Sequence, residues 1–151
     1  MVKKEIILER SQKCSEYLNQ LENIVKDIEF EEFNNNPLLY GSAERFLHLS
    51  IEALIDIGNH IVSDDDLGRV NVYKDIAVIL AENNYLSEQQ KELFIRIIAF
   101  RNILVHDYMD LDRDVIFNLL KNNLDDIRGL LKSYLNLVWL NLDSTDNLFL
   151  N

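Results

Sequence analysis

The sequence has little that would break or cross-link its backbone. Its 151 residues include one proline, four glycines and one cysteine. Long helices are therefore expected, because few positions force a turn. An intramolecular disulfide is excluded, because Cys14 has no second cysteine to pair with. Cys14 also falls in an amphipathic pattern where a small buried hydrophobe fits, which favours a reducing compartment and predicts a cytoplasmic location.

Long apolar runs and basic residues are also scarce. No stretch approaches about 18 consecutive apolar residues, and the first residues are not a sustained apolar segment, so we expect neither a membrane span nor a signal peptide. Fifteen Lys and Arg stand against 26 Asp and Glu, which gives a formal net charge of −11. A nucleic-acid binder usually carries a broad basic face. Contact with nucleic acid must therefore be local and depend on a few arginines, or the acidic surface binds a basic protein partner.

Apolar residues instead recur at steps of three and four along most of the chain, which is typical of amphipathic helices. With 48% hydrophobic residues, the length suits one domain with a single core. We predict an all-α, single-domain helical bundle over residues 1–140, with a fraying tail over 141–151. The pattern predicts about five helices, at 5–33, 38–62, 71–83, from 88 onward, and 112–139. Their bounds rest on local signals: Asn34 to Pro37, a capping box from Ser87 to Gln90, and Asp112.

The segment Arg101-Asn102-Ile103-Leu104-Val105-His106-Asp107-Tyr108 carries the clearest chemistry in the chain. Arginine can bind a phosphate through two hydrogen bonds, and histidine can accept or donate a proton near neutral pH. Cleavage of RNA without a metal needs a base for the 2′-hydroxyl proton, a cation for the phosphate and an acid for the leaving oxygen. His106 is the candidate base or acid and Arg101 the phosphate clamp. Asn102 could orient His106 or hydrogen-bond the substrate.

The spacing within this segment restricts how the site can be assembled. Arg101 and His106 are five residues apart, so on a continuous helix they point about 140° away from each other. Asn102 and His106 are four apart and share a face. These spacings favour a site at a helix end that is completed across a homodimer. The structural alternative is that Arg101 forms a salt bridge, His106 caps a helix and Tyr108 is a half-buried ring.

The same residues resemble the HepT group of HEPN proteins, which are toxins of two-gene toxin–antitoxin modules. Their hallmark is an Arg, a polar residue, three further residues, a His, one residue and a Tyr, and RNILVHDY matches it residue by residue. Residues 55–60, IDIGNH, and the helical pattern add to the resemblance. It implies a dimeric bundle whose two motifs face each other in a cleft, and a metal-independent ribonuclease. Asp107 departs from the glycine expected there, and its carboxylate would favour protonated His106 and repel RNA.

The resemblance also implies a protein partner. A minimal nucleotidyltransferase of the MntA type would neutralise the toxin by attaching AMP to the motif tyrosine, here Tyr108. The added group would bring charge and bulk beside His106 and close the cleft. We therefore expect RNA as substrate, a homodimer and a transferase antitoxin, with no role for DNA, which lacks the internal nucleophile.

Several other residues are weaker candidates for the site. Asn59 and His60, near the end of the second predicted helix, and Arg96, five residues before Arg101, could line the cleft. Three histidines and one cysteine at no ligand spacing predict no metal site, and no cofactor is expected. The main rival function is a non-catalytic helical dimer that binds a nucleotide or a nucleotidyltransferase partner, which the acidic charge favours.

Overall fold

The computed structural model describes the backbone over residues 4–106 and 112–149, and the side chains over 5–104 and 112–136. The described residues form seven helices and no strand, which confirms the all-α class. The seven are α1 (Lys4–Val25), α2 (Phe30–Asn35), α3 (Pro37–Asp64), α4 (Lys74–Glu82), α5 (Glu88–His106), α6 (Arg113–Asn122) and α7 (Leu124–Phe149).

The third helix, α3, is the centre of the bundle. It contacts α1 along its length and also packs against α2, α4, α5 and α7. Its inward face is apolar, and Leu47, Leu54, Ile57 and Ile61 are fully buried. The helix α5 packs against both α3 and α4, and its Arg101 bonds Glu52 near the middle of α3.

Local capping signals in the sequence correctly predict three helix starts. Asn36 caps α3 by accepting a hydrogen bond from the Leu38 amide at 3.0 Å, with Pro37 in the first turn. The Ser87 and Gln90 side chains each accept a hydrogen bond from the other's amide at 3.1 Å, forming the capping box at α5. Asp112 caps α6.

Two predicted helices are each divided in the structure. The segment predicted as one helix over 5–33 breaks at Asp27, whose φ of 61° is incompatible with a right-handed helix. The break was hidden because apolar residues continue in register across it. It turns α2 so that Phe33 packs against Phe117 of α6, with ring centroids 5.3 Å apart.

The second break lies between α6 and α7, within the predicted helix over 112–139. Asn123 ends α6 by donating its amide hydrogen to the Leu119 carbonyl, and its side-chain amide donates to Asp126 at 3.1 Å. The φ of Asn123 is −124°, outside the range of an α-helix, and this change in the backbone separates α6 from α7. At the other end, the backbone of α7 is helical to Phe149.

A close helix crossing fixes the position of α4 against α3. A Cβ atom added to Gly58 would lie 2.7 Å from Cγ2 of Ile76, so only glycine permits this approach without rearrangement. Asn59 follows directly on the exposed side of α3, and Tyr73 directly precedes α4. The crossing therefore brings the loop before α4 close to Asn59.

Candidate active site at the Arg–His motif

Arg101 is held by a residue of the central helix. Its side chain is 16% exposed, and its Nε donates a hydrogen bond to Oε1 of Glu52 in α3. The same carboxylate oxygen lies 3.3 Å from Nε2 of His48, one helical turn earlier. The NH1 group of Arg101 donates to the Asn102 side-chain oxygen at 3.3 Å. Glu52 therefore orients the guanidinium and offsets part of its positive charge.

An aromatic ring lies beside the same guanidinium. The Arg101 Cζ atom is 5.2 Å from the ring centroid of Tyr73, within the range of a cation–π contact. The Tyr73 ring is 43% exposed. Tyr73 thus presents an aromatic surface to solvent at the point where Arg101 is fixed.

The loop that carries Tyr73 is itself fixed. The Asn71 and Val72 amides each donate a hydrogen bond to Oδ2 of Asp75 at 3.0 Å. These bonds favour the ionised carboxylate and lower the pKa of Asp75 below its ordinary value of 3.8, and the bond from Val72 has the larger effect. Hydrogen bonds within the protein therefore hold the loop that positions Tyr73.

Two cavities adjoin each other near Arg101, and Asn59 and Tyr73 line both of them. The first cavity, of about 690 Å³, lies between α3, α5 and the loop before α4. The second, of about 520 Å³, lies between α1 and α3. Arg101 contacts Asn102 and Tyr73 of the first cavity and Glu52 of the second.

The two cavities differ in charge. The first is lined by five aliphatic residues, three asparagines, Tyr73 and Lys74. The second is lined by two cations and three carboxylates, among them Arg10 and Asp56, which form an ion pair at 2.5 Å. A phosphate is repelled by the carboxylates of the second cavity, so the Arg101 side of the first is the more favourable place for one.

The structure brings only some of the predicted site residues together. Arg101, Asn102 and Asn59 lie around the first cavity. The His60 ring is directed toward Asp56, with 3.8 Å between Nε2 and Oδ1. Arg96 lies on another side of α5 and lines a groove of about 340 Å³ toward α6 and α7, so it does not extend the positive charge of Arg101.

The second half of the motif is described only in part. The helix α5 continues from Arg101 through His106. The two residues therefore occupy positions about 140° apart around one helix axis, and the helix does not end between them. The His106 side chain, Asp107 and Tyr108 lie outside the described residues.

Two residues that the sequence analysis missed contribute to the site: Glu52 and Tyr73. A signal for Glu52 was present, because polar side chains recur every three or four residues along α3, at His48, Glu52, Asp56 and Asn59. Tyr73 gave no comparable signal, since its role depends on a loop that tertiary contacts bring to α5.

The described part of the chain lacks two further kinds of feature. Across residues 5–104 and 112–136, whose side chains the structure describes, no three His, Cys, Asp or Glu side chains are grouped so that they could hold a metal ion. Within the same ranges, no helix combines the length and apolarity that a membrane crossing requires.

Comparison with protein families identifies the group to which this chain belongs. The family profile described as "Ribonuclease HepT-like" matches residues 14–134. The match includes most of the chain and the Arg–His part of the motif. The chain therefore belongs to the HepT-like ribonuclease family, which confirms the resemblance drawn from RNILVHDY.

Curated relatives agree with this assignment. The chain is 32% identical over 95 residues to the mRNA nuclease HepT of Shewanella oneidensis, which covers 63% of this chain and 71% of that protein. It is 28% identical over 102 residues to the tRNA nuclease HepT of Aphanizomenon flos-aquae, which covers 68% of this chain and 67% of that protein. The two relatives are named for different classes of RNA.

Solved structures show the same fold. One is the tri-AMPylated Shewanella oneidensis HEPN toxin in complex with MNT antitoxin, with a TM-score of 0.80 and 25% identity over 87% of this chain and 97% of that chain. Another is YutE, a cytosolic protein of Bacillus subtilis, with a TM-score of 0.81 over 93% of this chain and 94% of that chain. The second is 20% identical, so that likeness concerns the fold alone.

Proposed function

We propose that this protein is the toxin of a toxin–antitoxin module, and that it cleaves RNA without a metal ion at a cleft between two copies of the chain. The position of Arg101 is the main support for this proposal. Its guanidinium is fixed by Glu52 and Asn102 beside a cavity that no carboxylate lines. Membership of a ribonuclease family supports the same activity.

The proposed reaction is an internal transfer at phosphorus. His106 accepts the proton of the 2′-hydroxyl, the 2′-oxygen forms a bond to the adjacent phosphorus, and the bond from phosphorus to the 5′-oxygen breaks. The departing 5′-oxygen takes a proton from water, and the imidazolium gives the proton of the 2′-hydroxyl to the hydroxide that remains. Arg101 stabilises the charge on the phosphate in the transition state, and Asn102 orients the imidazole or the phosphate. The products are a 2′,3′-cyclic phosphate and a 5′-hydroxyl.

A second copy of the chain is required because of the helix geometry. Arg101 and His106 occupy different faces of a continuous α5, so one helix does not present both to the same phosphate. Exposed apolar residues near the motif support an interface there: Ile103 is 46% exposed and Val72 is 52% exposed. In the proposed homodimer, Arg101 of one copy and His106 of the other act on one substrate.

We further propose that a nucleotidyltransferase antitoxin silences the protein by attaching AMP to Tyr108. The AMPylated state of the neighbouring Shewanella toxin, in complex with its MNT antitoxin, supports this part of the proposal. The net charge of −11 is consistent with a basic protein partner.

The ribonuclease proposal is tested with purified protein and labelled RNA in excess EDTA. We expect the wild type to cleave, and Arg101→Ala and His106→Ala each to lose cleavage by at least about 100-fold. Arg96→Ala is the matched control, because Arg96 is on the same helix but outside the site, and it should cleave like the wild type. Loss of wild-type cleavage in EDTA, or full cleavage by His106→Ala, would contradict the mechanism.

Growth after expression separates the ribonuclease from the non-catalytic alternative. A ribonuclease should arrest growth in a way that Arg101→Ala abolishes, whereas a binding module should be harmless in both forms. Co-expression with a transferase tests the regulatory proposal. Mass spectrometry should detect one added AMP on the wild type and none on Tyr108→Phe, and an unmodified wild type would refute it.

A further inference from the structure

The first cavity has the chemistry of a nucleobase site. Its volume of about 690 Å³ is within the range typical of small-molecule sites. None of its ten lining residues is a carboxylate, although the chain has 26 Asp and Glu, and Lys74 is the one charged residue among them. A nucleobase is flat, uncharged and aromatic, and it suits a wall that is aliphatic with a few amide groups.

Tyr73 provides the surface on which a base can stack. Its ring is 43% exposed, and the bonds from the Asn71 and Val72 amides to Asp75 hold the loop in place. Exposed aromatic rings bind bases by stacking in many proteins that bind single strands, with a contribution of about 1–3 kcal/mol per base. A rigid ring loses little conformational freedom when it binds.

The position of Arg101 links this ring to the reaction. The Arg101 Cζ atom lies 5.2 Å from the Tyr73 ring centroid. A phosphate bound by the guanidinium would therefore lie within one nucleotide of a base stacked on Tyr73. The subsite and the phosphate clamp thus fit a single nucleotide unit.

Asparagine side chains supply the polar groups for the edge of the base. Asn59 is exposed, and among the described residues its amide has no hydrogen-bond partner. An asparagine amide can donate to and accept from the edge of one base at the same time. Asn59 faces the cavity from α3, and Tyr73 bounds it from the loop before α4.

We propose that this cavity is a nucleobase-binding subsite, in which Tyr73 stacks on the base next to the scissile phosphate of RNA and Asn59 contacts its edge. The inference rests on the proposed function, because it takes RNA as the substrate. It adds two binding residues outside the motif and a physical basis for preferring one base at one position.

The test measures binding without cleavage, so that it does not depend on activity. A fluorescent 2′-O-methyl oligonucleotide, which lacks the nucleophile, is titrated with the full-length protein and followed by anisotropy. Tyr73→Ala should weaken binding by about tenfold, as expected for the loss of one stacked base. Tyr73→Phe, which keeps the ring, should bind within about twofold of the wild type. Tyr17→Ala is the control, because Tyr17 lines the second cavity alone.

A series of the same oligonucleotide with one abasic position identifies the base concerned. At one position the abasic change should weaken wild-type binding, and there Tyr73→Ala should cause no further loss, since both changes remove the same contact. Asn59→Ala should reduce discrimination between bases at that position. Equal binding by Tyr73→Ala and wild type, or an undiminished Tyr73→Ala penalty at every abasic position, would overturn the proposal.

The association state of Tyr73→Ala, measured by sedimentation, separates base binding from contact between two copies. An unchanged association state with weaker binding supports the subsite. A shift toward monomer that accounts for the loss would overturn it and assign Tyr73 to the interface. Failure of the ribonuclease proposal is distinguishable, because the wild type would then bind the oligonucleotide with the Tyr73 dependence and cut no RNA.

Discussion

Replacement of Glu52 tests how the ion pair controls Arg101. Glu52 accepts the hydrogen bond from Arg101 Nε and is 35% exposed, so it both orients the guanidinium and offsets its charge. Glu52→Gln keeps a hydrogen-bond acceptor and removes the charge. Glu52→Ala removes both. The two variants therefore separate orientation from electrostatics.

The size of the charge effect follows from the geometry. A phosphate on the outer edge of the guanidinium would lie about 6 Å from the Glu52 carboxylate, where like charges repel by about 0.7 kcal/mol at the dielectric constant of water and about 2.8 kcal/mol at an effective constant of 20. Because the pair is partly exposed, we expect about 1 kcal/mol, which corresponds to about fivefold tighter RNA binding by Glu52→Gln. The gain should shrink as salt is raised.

Glu52→Ala should behave differently. Without Glu52 the guanidinium keeps only its bond to Asn102 and its contact with Tyr73, and the loss of alignment should lower the cleavage rate by about 10- to 100-fold. Anisotropy with 2′-O-methyl RNA and single-turnover cleavage measure the two effects separately. Glu16→Gln is the matched control, since Glu16 is an exposed carboxylate on α1. Equal RNA binding by Glu52→Gln and Glu16→Gln, or wild-type cleavage by Glu52→Ala, would refute this reasoning.

Three further predictions concern the scaffold. The pKa of Asp75 is lowered in the fold, so its ionised carboxylate stabilises the protein above pH 3.8, and this contribution is lost as pH falls through the folded-state pKa. In urea unfolding, the difference in stability between wild type and Asp75→Asn should therefore shrink below about pH 4. A constant difference from pH 6 to 3 would contradict this. Gly58→Ala should lower the free energy of unfolding by about 1–3 kcal/mol, because the added Cβ would meet Ile76. Gly41→Ala in the same helix should be neutral or stabilising, because a Cβ added there meets nothing within 4 Å. Similar changes in stability for both variants would count against the close crossing. Burial raises the pKa of Cys14 to about 12, so the native protein at pH 8 should resist iodoacetamide and react only when unfolded. Mass spectrometry would detect the modification, and rapid modification of the native protein would show that the thiol is not buried.

Features that depend on neighbours in the sequence were predictable. The caps at Asn36, Ser87 and Asp112 use bonds over two or three residues, so the sequence contains all of their partners. The Arg–His motif lies within one segment and was found for the same reason. Pairing in space was not predictable in this way, because Arg101 and Glu52 are 49 residues apart.

The two missed helix breaks have a similar explanation. The apolar pattern continues across Asp27 because residues on both sides pack into the same core, so periodicity alone predicts one helix. At Asn123 the change is confined to one residue, whose φ of −124° leaves the helical range within a strong apolar stripe, so periodicity again predicts one helix.

In the proposed reaction, the protein cleaves RNA through the 2′-hydroxyl, without a metal ion. A DNA oligonucleotide with one ribonucleotide at the cleavage position, incubated with the protein in EDTA, tests it most directly. We expect one cut on the 3′ side of the ribonucleotide with a 2′,3′-cyclic phosphate end, and no cut by His106→Ala or in the all-DNA strand. Cleavage of the all-DNA strand, or cleavage of the chimeric strand only when a divalent metal is present, would contradict it.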